Sequence, residues 1–469
     1  MDLITAKKIK KEYTYWKWQI NANETFTEEM TIFTLTGKNV TYALAALESG
    51  HLAHIYYGKR ADDEDLSYLM RLNENPFVPK VNERDMGTFM DTTPFEYPCH
   101  GIGDYREPAV SIMDEKGMTA LDLRFVSYEM IDGKPELYQQ LEDCTVRLPA
   151  TFAAKDEAQT LAITMKDAHS GLTAILYYTV FADLNAITRS VKFINGGDKA
   201  FKLTRALSAC VDFDSDQYDF ITLNGSWARE RVMERCRLHH GKQSIDSVKG
   251  ESSHQNNPFA ALVSHNADED MGEAYGFNLV YSGNFFAQVE VTQHKKTRFV
   301  MGINHFDFSW KLEPAQEFTA PEVVMVYSDK GIGEMSRTFH DLYRQHIIRG
   351  EYKDKRRPIL INNWEATYFN FNTEKLIDIA KQASQLGIEM LVMDDGWFGH
   401  RDSDNSSLGD WFVYEKKIDG GLKHLVDEVN KLGMKFGIWF EPEMISPDSE
   451  LFKAHPDWAI RIEGMPMTQ

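Results

Sequence analysis

Acidic side chains follow apolar runs at two places in the second half of the chain. Asp394 and Asp395 come directly after one run, and Glu441 and Glu443 come directly after another. Continuous apolar runs bounded by turn residues are typical of strands buried in a parallel sheet. Carboxylates at the carboxyl ends of such strands lie where α/β barrels carry their chemistry. These four acids are therefore candidates for acid–base work or for hydrogen bonding to a polar ligand.

Spacing assigns the two acidic pairs different roles. Adjacent residues of an extended strand point to opposite faces, so Asp394 and Asp395 make a poor acid/base couple. They are better suited to accepting hydrogen bonds from neutral hydroxyl groups, or else they form a helix cap or turn. Glu441 and Glu443 share a face and, on spacing alone, are the best couple for glycoside chemistry, which needs acids about 5–10 Å apart. The alternative for them is a turn fixed by Pro442, with one Glu in a salt bridge.

Other site chemistries are poorly supported by the sequence. The run Asp402–Ser406 begins like a calcium loop, but Ser407 stands where that loop needs glycine, so we expect a solvated polar loop. The histidines have no metal-ligand spacing, and no phosphate-binding glycine loop is present. We therefore expect carboxylate chemistry on a neutral substrate, with no metal and no cofactor. Tryptophans near the predicted strand ends are candidate sugar platforms or core residues: Trp364, Trp397, Trp411 and Trp439.

The elements that carry these acids alternate between strand and helix after Pro358. Predicted strands at 359–362, 388–393 and 436–440 are separated by two amphipathic helices, and this alternation indicates a parallel sheet. A (β/α)8 barrel needs about 250 residues to close, more than this segment provides. We therefore expect residues 358–469 to form the first part of a TIM-type barrel, truncated, in a fragment of a longer protein.

The preceding 300 residues have a sequence pattern typical of antiparallel β-structure. Short runs rich in Val, Ile, Thr, Phe and Tyr alternate with Gly, Asn and Asp clusters, which predicts a large sandwich over residues 30–330. We predict one hairpin from the strand 186–194, the turn 195–198 and the strand from Phe201. Residues 331–357 are predicted to be a helical linker, and residues 1–29 an N-terminal extension outside the first domain.

Charge and cysteine content restrict the partners. The net charge of −20 disfavours nucleic acid and anionic membranes as partners, but it is compatible with a neutral sugar as the substrate. The four cysteines have no paired spacing, and we expect them to be reduced and buried. Residues 1–29 lack the apolar core of a secretion signal, so we expect a cytoplasmic protein.

Several long motifs, in order, resemble the bacterial α-galactosidases of glycoside hydrolase family 36. The resemblance runs from about Met30 to Gln469. In the predicted barrel segment the motifs are Asn362–Tyr368, Met393–Gly399, Gly409–Trp411 and Gly437–Met444. Upstream they are His54–Lys59, Gly103–Arg106, Gly225–Glu230, Ser252–Phe259 and Pro321–Ser328.

This resemblance implies a β-supersandwich followed by a (β/α)8 barrel, and retaining hydrolysis of terminal α-1,6-linked galactose, as in melibiose and raffinose. It implies that Asp394 and Asp395 hold galactose hydroxyls and that Trp364 and Trp439 shape the sugar pocket. It also implies that Trp227 reaches the site from the sandwich, and it places Asn73 where some relatives have an acidic sugar contact. The family further suggests a homotetramer.

The family's nucleophile lies in a Lys-Trp-Asp stretch that is absent here, so both catalytic carboxylates are expected beyond Gln469. This reduces Glu441 and Glu443 to supporting roles and predicts a chain that is inactive alone. Three alternatives remain: a galactosyltransferase resembling raffinose synthase, a non-catalytic galactose-binding or assembly module, and specificity for N-acetylgalactosamine.

Overall fold

The computed structural model describes residues 3–17, 22–62, 65–70, 90–141 and 143–466. The chain divides into two compact units, Met1–Ile348 and Arg349–Gln469. The division falls within the predicted helical linker of residues 331–357.

The first unit begins with a four-stranded antiparallel sheet in the order β1-β2-β3-β4. Its strands are β1 (Ile4–Lys17), β2 (Ala22–Thr36), β3 (Val40–Ala46) and β4 (Leu52–Lys59). The boundary that we placed between residues 29 and 30 falls inside β2, where Met30 and Ile32 are buried. The described part of the predicted extension therefore contributes strands to this sheet.

Two larger sheets follow, and all of their strand pairings are antiparallel. One has ten strands in the order β14-β13-β16-β17-β22-β11-β10-β9-β6, with β21 beside β11; the other has six, β15-β18-β19-β12-β20, with β5 beside β12. Strands β7 and β8 pair separately. The bounds are β5 (Val110–Asp114), β6 (Leu123–Asp132), β7 (Tyr138–Gln140), β8 (Thr145–Arg147), β9 (Ala158–Asp167), β10 (Leu172–Phe181), β11 (Ala186–Asn195), β12 (Phe201–Phe213), β13 (Tyr218–Ser226), β14 (Arg229–Arg237), β15 (Gly241–Asp246), β16 (Asn256–Ser264), β17 (Ala274–Val280), β18 (Phe285–Val291), β19 (Thr297–Ile303), β20 (Trp310–Leu312), β21 (Glu317–Thr319) and β22 (Glu322–Ser328).

The two large sheets share one apolar core. Phe277 of β17 stacks on Phe299 of β19 with ring centroids 3.8 Å apart, although the two strands belong to different sheets. The predicted hairpin of β11 and β12 is wrong, because β11 pairs with β10 and β22 whereas β12 pairs with β19. The turn at Asn195 crosses from one sheet to the other, and the Asn195 amide secures it by donating to the carbonyls of Lys199 and Leu312.

Helix α1 (Gly331–His346) packs on the ten-stranded sheet at the end of the first unit. Its apolar residues Met335, Phe339 and Leu342 lie on one face and are all buried. Gly276 of β17 makes this packing possible, because a Cβ there would lie 2.6 Å from the Phe339 ring.

The second unit contains a parallel sheet in the order β23-β24-β25. The strands are β23 (Leu360–Asn362), β24 (Met390–Met393) and β25 (Lys435–Ile438), and the helices are α2 (Trp364–Thr367), α3 (Thr373–Gln385), α4 (Gly421–Lys431) and α5 (Glu450–Ala454). Leu376 of α3 and Leu425 of α4 are fully buried with Leu391 and Met393 of β24. The predicted strand–helix alternation therefore forms as a parallel sheet, with strands slightly shorter than expected.

All four cysteines are free thiols. Cys99 and Cys210 are buried as expected, whereas the expectation of burial is wrong for Cys144 and Cys236, which are exposed. None of the helices in the described ranges combines the length and the apolar character that crossing a membrane requires.

Candidate sugar-binding site

The carboxyl ends of the three parallel strands bring polar and aromatic side chains together in the second unit. The backbone N–H of Asp394 donates to Asn363 Oδ1 at 2.8 Å, which ties the end of β24 to the segment after β23. The backbone N–H of Trp439 donates to the carbonyl of Met393 at 3.0 Å, which ties β25 to β24. Asp394, Asp395, Trp364 and Trp439 therefore all follow the same end of one sheet.

Asp394 has a half-buried carboxylate at this edge. Its Oδ1 accepts the backbone N–H of Asp395 at 2.7 Å, and its Oδ2 accepts the side-chain amide of Asn362. A carboxylate has about four acceptor positions, so each oxygen can still accept a further hydrogen bond. The arrangement suits a ligand that offers hydroxyl donors. Sequence reasoning missed Asn362, which lies two residues before Trp364.

Asp395 is buried and forms a separate set of contacts. Arg401 Nε lies 2.9 and 3.1 Å from its two oxygens, and Arg401 Nη2 lies 2.8 Å from Oδ2. Both residues are almost inaccessible, at 5% exposure for Asp395 and 3% for Arg401. Sequence reasoning missed Arg401; the available signal was a basic residue six positions after Asp395.

Gly396 follows the two aspartates with φ of +101°, which favours glycine. Glycine in such a position commonly allows a ligand to approach the backbone closely. The space beside its Cα is filled instead by Phe369, Phe371 and Lys417, which lie 3.1 to 3.3 Å from an added Cβ. The glycine therefore accommodates the chain's own side chains.

The four tryptophans of this unit differ in accessibility. Trp364 is partly exposed and stands edge-on to Tyr368 and Phe369, with centroids 5.2 and 5.1 Å away. Trp439 and Trp411 are also partly exposed. Trp397 is a core residue rather than a platform, because it is 3% exposed and its Nε1–H donates to the carbonyl of Trp439 at 2.9 Å.

Glu441 and Glu443 follow β25 in an irregular segment. Glu441 is half-buried and Glu443 is exposed. Burial and the neighbouring Glu443 carboxylate raise the pKa of Glu441 above its usual value, while Arg401 opposes the rise. Glu441 therefore holds its proton to a higher pH than an ordinary glutamate, close to the Asp395–Arg401 pair.

The other two predicted site residues belong to the sequence range of the first unit. Trp227 belongs to the first unit, in the turn between β13 and β14, where it is 83% exposed. Asn73 lies outside the described residues.

The acidic loop after β24 is organised by protein contacts. Lys417 Nζ pairs with Asp402 Oδ1 at 2.8 Å. Asp410 accepts the backbone N–H groups of Glu450 and Leu451 in the first turn of α5, at 3.1 and 3.2 Å. Within the described ranges, no three His, Cys, Asp or Glu side chains are grouped as metal ligands would be.

Comparison with known proteins identifies the family of this chain. Residues 50–313 match the glycosyl hydrolase family 36 N-terminal domain, and residues 317–469 match the melibiase family. This chain belongs to glycoside hydrolase family 36.

Individual relatives cover nearly all of this chain. It is 48% identical over 438 residues to alpha-galactosidase AgaA of Geobacillus stearothermophilus, covering 93% of this chain and 59% of that protein. It is 44% identical over 441 residues to alpha-galactosidase Mel36A of Lactobacillus acidophilus, covering 94% and 59%. The chain superposes on the crystal structure of AgaA with a TM-score of 0.89, and the matched part covers 93% of this chain and 60% of the AgaA chain. The chain thus spans about three-fifths of the length of these relatives.

Proposed function

We propose that this chain supplies the galactose-recognising part of an α-galactosidase that hydrolyses terminal α-linked galactose from raffinose-type oligosaccharides. The observation that carries the proposal is Asp394, a half-buried carboxylate at the carboxyl end of a central parallel strand, oriented by Asn362 and still able to accept hydroxyl donors. Trp364 and Trp439 follow the neighbouring strands and offer apolar faces to a sugar ring.

The relatives support the substrate class. Both relatives compared above are named α-galactosidases, and variants of AgaA have been crystallised with raffinose and with stachyose. These names do not favour the galactosyltransferase or the non-catalytic module. The neutral substrate agrees with the net charge of −20, which would repel an acidic one.

The proposal has a mechanistic part. Retaining glycosidases use a nucleophile and an acid/base carboxyl about 5 Å apart. We assign neither role to a residue of this chain, and we assign the hydroxyl-binding role to Asp394 and Asp395. A supersandwich, the first strands of a (β/α)8 barrel, a homotetramer and a cytoplasmic location belong to the same proposal.

The first test uses the purified 469-residue chain. We expect it to bind galactose and to release no p-nitrophenol from p-nitrophenyl α-galactoside. Turnover by the chain would show that a carboxylate pair within it, such as Glu441 and Glu443, performs the chemistry. Absence of galactose binding would contradict the recognition role.

The D394N variant tests the carrying observation. Removing the charge weakens the acceptors that face sugar hydroxyls, and charged hydrogen bonds contribute about 1.5–3 kcal/mol. We therefore expect the galactose dissociation constant to rise by about tenfold or more, as measured by isothermal titration calorimetry. The matched control is D378N, because Asp378 lies exposed on α3 and contacts Lys381 at 3.2 Å. Equal affinities of the two variants would contradict the role of Asp394.

A further inference from the structure

Arg401 contacts the candidate sugar site from inside the unit. Its guanidinium meets both oxygens of Asp395 through Nε and Nη2, at 2.8 to 3.1 Å, and both side chains are buried. A planar two-point pair of this kind fixes the position and the plane of a carboxylate. Asp395 therefore has little freedom to follow a ligand.

The same guanidinium also secures the loop that follows the strand. Arg401 Nη1 donates to the carbonyls of Asp404 and Ser406, each at 2.8 Å. Lys417 Nζ donates to the carbonyl of Arg401 at 2.8 Å. One side chain thus connects the end of β24 to the loop 401–406.

An aromatic side chain, Phe369, lies between Arg401 and Trp364. The Arg401 Cζ lies 5.8 Å from the ring centroid of Phe369, within range of a cation–π interaction. Phe369 in turn stands edge-on to Trp364 at 5.1 Å. A change in the position of Arg401 can therefore reach both the carboxylates and the aromatic face of the site.

We propose that Arg401 is a positioning residue for galactose recognition, which fixes the Asp395 carboxylate and the loop 401–406 beside Asp394 in the arrangement that the sugar hydroxyls require. This inference rests on the proposed function. Three hydrogen-bond contacts from Arg401 hold Asp395 in place, whereas Asp394 is partly exposed with open acceptor positions. The Arg401 charge also offsets the repulsion between the neighbouring carboxylates.

The R401K variant separates charge from geometry, because lysine keeps the positive charge but lacks the planar fork. Galactose and its C4 epimer glucose are titrated into wild type and variant by calorimetry. We expect R401K to bind galactose at least tenfold more weakly and to discriminate less between the two sugars. A purely structural role would lower the melting temperature without changing this affinity ratio.

The matched control is R356K. Arg356 forms a similar two-point pair with Glu389, at 2.6 and 3.1 Å, but exposed and before the amino end of β24. We expect this variant to keep wild-type affinity and selectivity.

Amide hydrogen exchange gives a second readout that needs no ligand. In R401K we expect faster exchange confined to residues 395–409, with α4 as protected as in wild type. The same two readouts on D395N keep the test usable if R401K does not fold. Because both residues act through one pair, their effects on affinity in the double variant should be less than additive.

Different outcomes separate the two proposals. Absence of galactose binding in wild type overturns the proposed function. Binding by wild type, together with unchanged affinity and selectivity in R401K or with additive losses in the double variant, overturns the positioning role alone.

Discussion

Asp394 and Asp395 are neighbours in sequence but have different surroundings. Strand alternation sends adjacent side chains to opposite sides. Asp394 meets the Asn362 amide at the open edge, and Asp395 meets Arg401 in the interior. Two identical side chains therefore have different hydrogen-bond partners because they are adjacent residues at the end of one strand.

Glu441 offers a prediction about titration. Burial raises its pKa, and repulsion from Glu443 raises it further. In the E443Q variant the second cause is removed, so we expect the pKa of Glu441 to fall towards its usual value of 4.5. The measurement is a carboxyl-carbon NMR titration, with the exposed-site variant E415Q as control. An unchanged Glu441 pKa in E443Q would mean that burial alone sets it.

Glu107 in the first unit predicts how stability depends on pH. Burial alone would raise its pKa, but ion pairs with Arg205 and Lys242 outweigh this and lower the pKa to about 2. The unfolded chain takes up the proton near pH 4.5. The stabilisation is therefore fully present above about pH 4.5 and is lost as the pH falls towards 2.

Glu107→Gln should lower the free energy of unfolding at pH 7 by about 2 kcal/mol, after allowance for solvent screening. The variant should also lose less of its free energy of unfolding than wild type does when the pH falls below 4.5. Urea unfolding at pH 7 and pH 3 measures both effects. The exposed-site variant E115Q should behave as wild type; an E107Q curve with the wild-type pH dependence would contradict the assignment.

At the scale of elements, helix ends show how local sequence sets structure. Asparagine is a preferred residue just before a helix, and Asn372 caps α3: its Oδ1 accepts the backbone N–H of Lys375 at 2.9 Å. Periodicity also placed the apolar faces of α3 and α4 correctly, because helix register depends on residues only three or four apart. Strand partners depend on distant residues, which is why the predicted pairing of β11 with β12 was wrong.

Removal of the α3 cap should have a measurable cost. We expect N372A to reduce the stability of the second unit by about 1 kcal/mol, because one N–H of the first turn loses its acceptor. Amide exchange at Lys375 should accelerate at the same time. Asn430→Ala, near the carboxyl end of α4, provides a control. Unchanged exchange at Lys375 would show that solvent replaces the cap fully.

At the scale of the whole molecule, the buried apolar residues of the second unit form a cluster separate from those of the first unit. Leu425 is fully buried in the second unit, whereas Leu386 of the same unit is 83% exposed. L425A should therefore destabilise the second unit by about 2–5 kcal/mol, while L386A should change little. Differential scanning calorimetry should show a shift confined to the transition of the second unit. A shift of all transitions together would show that the two units unfold cooperatively.

Much of the architecture was accessible from sequence because it depends on short-range pattern. Apolar runs, helical periodicity and turn residues determined the β-rich first part, the strand–helix alternation after Pro358, and the acids at the strand ends. The long motifs determined the family. None of these inferences required knowledge of which distant residues meet.

Tertiary structure alone decided which partners these residues have. It paired Asp395 with Arg401 and placed β11 and β12 in different sheets. It also buried Trp397, whose Nε1–H donates to the carbonyl of Trp439. The physical reason is that burial and ion pairing depend on how separate elements pack. A local sequence pattern specifies the face of the strand or helix on which a side chain lies, whereas the packing of elements specifies which residues that side chain contacts.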